Sequence, residues 1–183
     1  SGLNCPRDPS RVVHRMSRQD GQPRRSGLLL RRGTVLVLSA LMVILDQLSK
    51  HWIKIMLRPG ESTPFIPGLL QLHLVRNTGA AFSLFTGATP MLGMLSLVVA
   101  IGVAIWIWRE PRHDLWMGLA LGFLLGGTIG NGIDRLRLGH VIDFLELVPI
   151  QFPVFNWADV AINLAVLCFI IDALTQRKGP RDA

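Results

Sequence analysis

Four carboxylates stand where an apolar sequence gives them little reason to be. Asp46 lies inside a long apolar run with Lys50 four residues on; Asn131, Asp134 and Arg135 close another run; Asp143 sits in Val141-Ile142-Asp143-Phe144 with no cation beside it; Asn156-Trp157-Ala158-Asp159 opens a further run. An acid at a bilayer centre costs about 2.5–3.5 kcal/mol on insertion scales, so acids in or beside such runs are functional candidates. Two carboxylates brought close together cannot both ionise, and one keeps a proton while the other stays charged. The pair then holds a general base and a general acid. The carboxylate takes a proton from water, the water attacks a peptide carbonyl, and the protonated partner hydrogen-bonds the oxygen that gains charge. That is aspartic-peptidase chemistry.

Each acid also has a structural reading. Asp46 and Lys50 form an i,i+4 ion pair on a helix, with Lys50 and Lys54 snorkelling toward the interface. Asp134 and Arg135 anchor the end of their run, and Asn131 shares a helical face with Arg135. Asn156 and Asp159 have the spacing of a capping box, with Asp159 beside the positive end of a helix dipole. Asp143 has no such local account and needs a partner from elsewhere in the fold. Other chemistries are poorly served. The five histidines are scattered, with no His-Glu-x-x-His and no paired metal-ligand spacing. Ser49 and Lys50 are adjacent and so point apart, and there is no Gly-x-Ser-x-Gly or phosphate-binding glycine loop. Cys5 and Cys168 suggest neither a disulfide framework nor a metal site.

The elements that must carry these side chains are membrane spans. Half of the 183 residues are apolar, only 17% are charged and the mean hydropathy is +0.41, a profile of neither a disordered tail nor an ordinary soluble enzyme. Four apolar runs, residues 34–57, 90–108, 115–135 and 157–174, are each long enough to cross about 30 Å of hydrocarbon. Four spans put both termini on one side. Eight arginines lie in residues 1–32, Arg109 and Arg112 between the second and third spans, and Arg177, Lys178 and Arg181 at the C-terminus, against Arg58, Arg76 and Arg137 in the opposite loops. Thirteen against three predicts cytoplasmic termini and accounts for the net charge of +7 without nucleic acid. Trp106, Trp108 and Trp116 at the cytoplasmic span ends, with Trp52 and Trp157 at the outer ends, fit an aromatic belt.

The expected architecture is therefore an all-α integral membrane protein of four transmembrane helices with a small extracytoplasmic β segment. Residues 1–33 read as a basic, disordered cytoplasmic tail, 34–175 as the membrane domain and 176–183 as a cytoplasmic C-terminal tail. Met16 is a candidate start, so residues 1–15 are expected to include upstream sequence. Residues 70–74 alternate apolar and polar like a half-buried strand, and Arg76-Asn77-Thr78-Gly79 reads as a turn after it. Gly118, Gly122, Gly126 and Gly130 recur at i+4 and predict a flat ridge, facing the bundle interior, that a neighbouring helix can approach closely, with Asp134 extending the row.

Read together, Asp46-Gln47-Leu48-Ser49-Lys50, Asn77-Thr78-Gly79-Ala80-Ala81-Phe82, Gly130-Asn131-Gly132-Ile133-Asp134-Arg135, Val141-Ile142-Asp143-Phe144 and Phe155-Asn156-Trp157-Ala158-Asp159 resemble bacterial lipoprotein signal peptidase, signal peptidase II. The resemblance covers residues 34–175. It implies a membrane aspartyl endopeptidase, without cofactor or metal, that removes signal peptides from prolipoproteins just before a diacylglyceryl-modified cysteine. By position, Asp143 and Asp159 are the implied catalytic pair. Asp46, Lys50, Asn77, Gly79, Asn131, Asp134, Arg135 and Asn156 are the implied support and substrate residues. It further implies an outer β cradle, a mobile outer segment before the fourth span, a monomer in the bacterial inner membrane and an active site on the extracytoplasmic face. Gly132 departs from the family's usual larger apolar residue, and the Arg-rich tail lies outside the pattern. Phe82, Phe144 and Phe155 read either as linings of an acyl-chain groove or as plain packing. A proton- or ion-coupled transporter is the rival reading, although the acids gather toward one face and do not ladder across the membrane. A non-catalytic scaffold built on the glycine ridge leaves Asp143 and Asp159 without a purpose.

Overall fold

The computed structural model describes residues 28–79, 88–150 and 152–176. Residues 1–27 of the basic tail, Phe82 and the C-terminal Arg177, Lys178 and Arg181 lie outside the described residues; the end of that tail, expected to be disordered through residue 33, is instead ordered, with Leu29–Arg31 in a short strand and Arg32 opening the first helix. Four helices, α1 (Arg32–Met56), α2 (Thr89–Arg109), α3 (Leu115–Leu138) and α4 (Trp157–Gln176), are long and apolar enough to cross a membrane. They coincide with the four expected runs to within a turn at each end. Pro90 sits in the first turn of α2, where its missing N–H is harmless. The third helix runs beyond Arg135 until Gly139, whose φ of +72° supplies the left-handed residue that ends it.

Helix α3 is the most buried of the four and packs against each of the others. The reason is its glycines. A Cβ on Gly126 would lie 2.7 Å from Cβ of Met42 and 2.9 Å from the Ser39 carbonyl oxygen, and one on Gly130 would lie 2.6 Å from Asp46 Oδ2. The expected ridge thus faces α1, and only hydrogen side chains let the two backbones approach so closely. Gly127, which the i+4 row omits, does the same toward α4: a Cβ there would meet the Ala158 carbonyl oxygen at 2.5 Å. Two glycine faces on one helix therefore clamp α1 and α4 around α3, and they set Asp46, Asn131 and the start of α4 side by side. At one end of the bundle Val35, Val103, Ile107, Leu121 and Leu125 form an apolar core.

Strands β2 (Ser62–Ile66), β3 (Leu70–Asn77) and β5 (Val141–Leu147) form an antiparallel sheet in the order β2-β3-β5, at the end of the bundle where α1 finishes and α4 begins. Ile53, Leu74, Ile142, Phe144 and Leu145 form the core that joins sheet to helices. The strand at 70–74 is present but longer than the alternation indicated. Arg76 and Asn77 are not a turn: Asn77 pairs with Val141 in the β3–β5 ladder, and the chain turns only after it, where Asn77 Oδ1 accepts the Gly79 N–H at 2.9 Å. The continuous apolar stretch of β5 hid a strand buried on both faces. Phe155 then bridges back to Leu145, which fixes the approach to α4. At the other end of the bundle β1 (Leu29–Arg31) and β4 (Arg112–Asp114) pair in a second, two-stranded ribbon that the sequence pattern did not indicate.

Candidate active site

Asp46 and Lys50 form the expected i,i+4 pair at 2.8 Å, but Lys50 does not snorkel. It is 2% exposed, and its ammonium also meets Asp134 Oδ2 at 2.9 Å and Asn131 Oδ1 at 3.0 Å. All three of its N–H donors have partners, the condition under which a buried ammonium is tolerated. Asp134 also accepts the Ile142 N–H at 3.1 Å, which ties β5 to α3. Asp46 Oδ1 accepts the Ala158 N–H at 3.0 Å, so an acid on α1 satisfies an otherwise orphan donor in the first turn of α4. Gln47 donates to Asp46, Asp134 and the Gly130 carbonyl. Its role went unassigned in the sequence, though a Gln inside an apolar span carries the same signal as the acids around it.

The capping box forms as the spacing predicts. Asn156 Oδ1 accepts the Asp159 N–H at 2.9 Å, and Asp159 Oδ2 accepts the Asn156 N–H at 3.1 Å. The Asn156 amide does more than cap, because its Nδ2 donates to Asp143 Oδ1 at 2.6 Å and to Asn131 Oδ1 at 3.1 Å. Asn131 Nδ2 donates to Asp159 Oδ1 at 2.8 Å. On the far side Asn77 Nδ2 donates to Asp143 Oδ2 at 2.9 Å. Asp143 and Asp159 are thus joined through two asparagine side chains, of which Asn131 is braced from behind by Lys50. Since an amide oxygen held by N–H donors cannot turn, each carboxylate meets the NH₂ end of its neighbour.

Both acids line one cavity of about 1040 Å³, together with Asn77, Gly79, Asn131 and Arg135. Val160, Ile162, Leu164 and Leu167 of α4 continue its wall along that helix, and Phe152 and Phe155 also line it. Of the aromatic residues considered as groove linings, Phe144 instead packs in the core at 3% exposure. Arg135 reaches toward the Gly79 carbonyl at 3.5 Å, and its buried Nε has no partner among the described residues. Lys50, Asp46 and Asp134 stand behind the cavity wall and do not open onto it.

Burial first, then the nearby Asp159 carboxylate, push the Asp143 carboxyl up from 3.8 to about 6, against the pull of Asn77, Asn156 and Lys50. Between these two values the folded chain keeps a proton that the unfolded chain has released. This contribution to stability is therefore complete below pH 3.8 and is lost as pH rises through about 6. Asp143→Asn removes the ionisation, so the variant is expected to melt higher than the parent at about pH 7.5, with the gap closing toward about pH 4. Thermal melts in detergent across that range check it; a gap that does not vary with pH would show that Asp143 carries no such strain.

The comparisons with known proteins follow the same residues. Residues 38–175 match the family described as Signal peptidase (SPase) II. The chain is 53% identical over 156 residues to the lipoprotein signal peptidase of Parasynechococcus marenigrum (strain WH8102), covering 85% of this chain and 98% of that protein. It is 56% identical over 148 residues to the lipoprotein signal peptidase of Synechococcus sp. (strain RCC307), covering 80% and 98%. A bacterial membrane enzyme solved by the in meso method at 2.3 Å resolution superposes with a TM-score of 0.74 at 30% identity, over 82% of this chain and 94% of that one. With four membrane-capable helices and a cavity edged by two acids, the chain belongs to the signal peptidase II family and is an aspartic peptidase of the membrane.

Proposed function

We propose that this enzyme removes the signal peptide of prolipoproteins by cutting before the diacylglyceryl-modified cysteine, with Asp143 and Asp159 sharing one proton and activating water between them. The observation that carries this reading is the meeting of two acids from separate elements, β5 and α4, on one cavity and one asparagine-linked network. The ionised member takes a proton from water, the water attacks the scissile carbonyl, and the protonated member donates to the forming oxyanion. The member that took water's proton then passes it to the leaving amine as the C–N bond breaks, and the proton on the oxyanion returns to its partner as the carbonyl re-forms. A substrate seated over the cavity displaces water and strengthens the hold on the shared proton, which keeps the singly protonated state available near neutral pH.

The lipid part of the substrate accounts for the shape of the cavity. Acyl chains follow the apolar wall of Val160, Ile162, Leu164 and Leu167 while the peptide backbone lies near Gly79 and Arg135. The Lys and Arg distribution sets both termini in the cytoplasm and this cavity on the extracytoplasmic face of the inner membrane. The enzyme acts there as a monomer. Purified protein incubated with a diacylglyceryl-modified prolipoprotein and with its unmodified precursor tests the reading. Cleavage of the modified form alone is expected, yielding a product that begins at the modified cysteine. Equal cleavage of the unmodified precursor, or scission at another bond, would overturn it.

A further inference from the structure

The end of the bundle away from Asp143 carries a second depression, of about 460 Å³, lined by Arg31, Arg32, Gly33, Thr34, Pro111 and Arg112. Two features set it apart from the scattered arginines that orient any membrane protein. First, the β1–β4 ribbon pairs Arg31 directly with Arg112. Cross-strand partners share a face with their Cβ atoms about 5 Å apart, and like charges so placed repel unless an anion lies between them. Second, Arg32 is already fixed. Its guanidinium lies 4.7 Å from the centre of the Trp108 ring and its Nη1 donates to the Trp108 carbonyl at 3.2 Å, while its backbone N–H donates to the Pro111 carbonyl. Three arginines therefore line one depression.

We propose that this depression binds the phosphodiester headgroup of an anionic lipid. A phosphate between Arg31 and Arg112 takes paired N–H donors from both and removes their repulsion. The lipid, and not a free anion, is the source, because the depression lies where α1 begins and where α2 hands over to α3. These are the ends of three membrane-spanning segments, where headgroups are concentrated.

The test is native mass spectrometry of protein released from vesicles of phosphatidylcholine with added phosphatidylglycerol. It compares the parent with an Arg31→Gln, Arg112→Gln double variant and with Arg112→Glu. The last turns a repelling cross-strand pair into an attracting one, so it keeps the ribbon while removing the anion site. The parent is expected to retain phosphatidylglycerol in preference to phosphatidylcholine, and both variants to retain it roughly tenfold more weakly with peptide cleavage unchanged. Retention equal to the parent in the two variants would overturn the site. Displacement of the lipid by inorganic phosphate at millimolar concentration would overturn its assignment to a lipid.

Discussion

Turnover of a lipid-modified precursor is expected to fall by at least about 10³-fold in Asp143→Asn and equally in Asp159→Asn, with KM little changed. Asn matches Asp in shape and keeps one of the two acceptor oxygens at each site, enough for Asn77 or Asn156 at 143 and for the Asn156 N–H at 159, while its NH₂ group turns away the other donor. The capping box and the cavity wall therefore survive, while the shared proton and the base that accepts water's proton do not. Because the two carboxylates act as one unit, the double variant is expected to lose little more than either single variant. Steady-state kinetics on all three proteins, with melting curves to confirm the fold, decide the matter. A single variant within tenfold of the parent removes its residue from the chemistry. Multiplicative losses in the double variant would mean that the two acids work independently.

How far this site was legible in the sequence depends on the range of the contacts involved. The Asn156/Asp159 capping box and the Asp46/Lys50 pair are local, three and four residues apart, and spacing alone announces them. The glycine row announces the α1 face of α3 for the same reason, whereas Gly127 escapes because a second face has no row of its own. Asp143 is the opposite case. Its partners Asn77 and Asn156 come from β3 and from the residue before α4, and they meet it because β5 pairs with β3 across a bulge between Leu72 and Val75. No periodicity within residues 141–147 reveals that pairing, since a strand buried on both faces reads as a plain apolar run. The burial of Lys50 is hidden from the sequence for a related cause. Snorkelling is the default for a lysine near a span end, and only the arrival of Asp134 and Asn131 from α3 makes burial the better solution.

That burial makes Lys50→Met the substitution with the largest expected effect on stability. The ammonium spends its donors on Asp46, Asp134 and Asn131, all at most 4% exposed. Methionine fills the volume of the stem but leaves two interior carboxylates facing each other with no counter-charge, a change that typically costs about 3–5 kcal/mol. Asp134→Asn should cost less, because an amide oxygen still receives the Ile142 N–H and the Lys50 charge stays paired with Asp46. The two variants also part in function. Without Lys50, Asn131 Oδ1 loses one of its two donors and its amide is freer to turn away from Asp159, so catalysis falls along with stability. Chemical denaturation in mild detergent, read beside kcat at a temperature where each variant is still folded, separates the two losses. If Lys50→Met unfolds at the same denaturant concentration as the parent, the three-way contact contributes nothing to the fold. If it unfolds early but turns over normally while folded, Asn131 is held by Asn156 alone and Lys50 has no part in aligning Asp159.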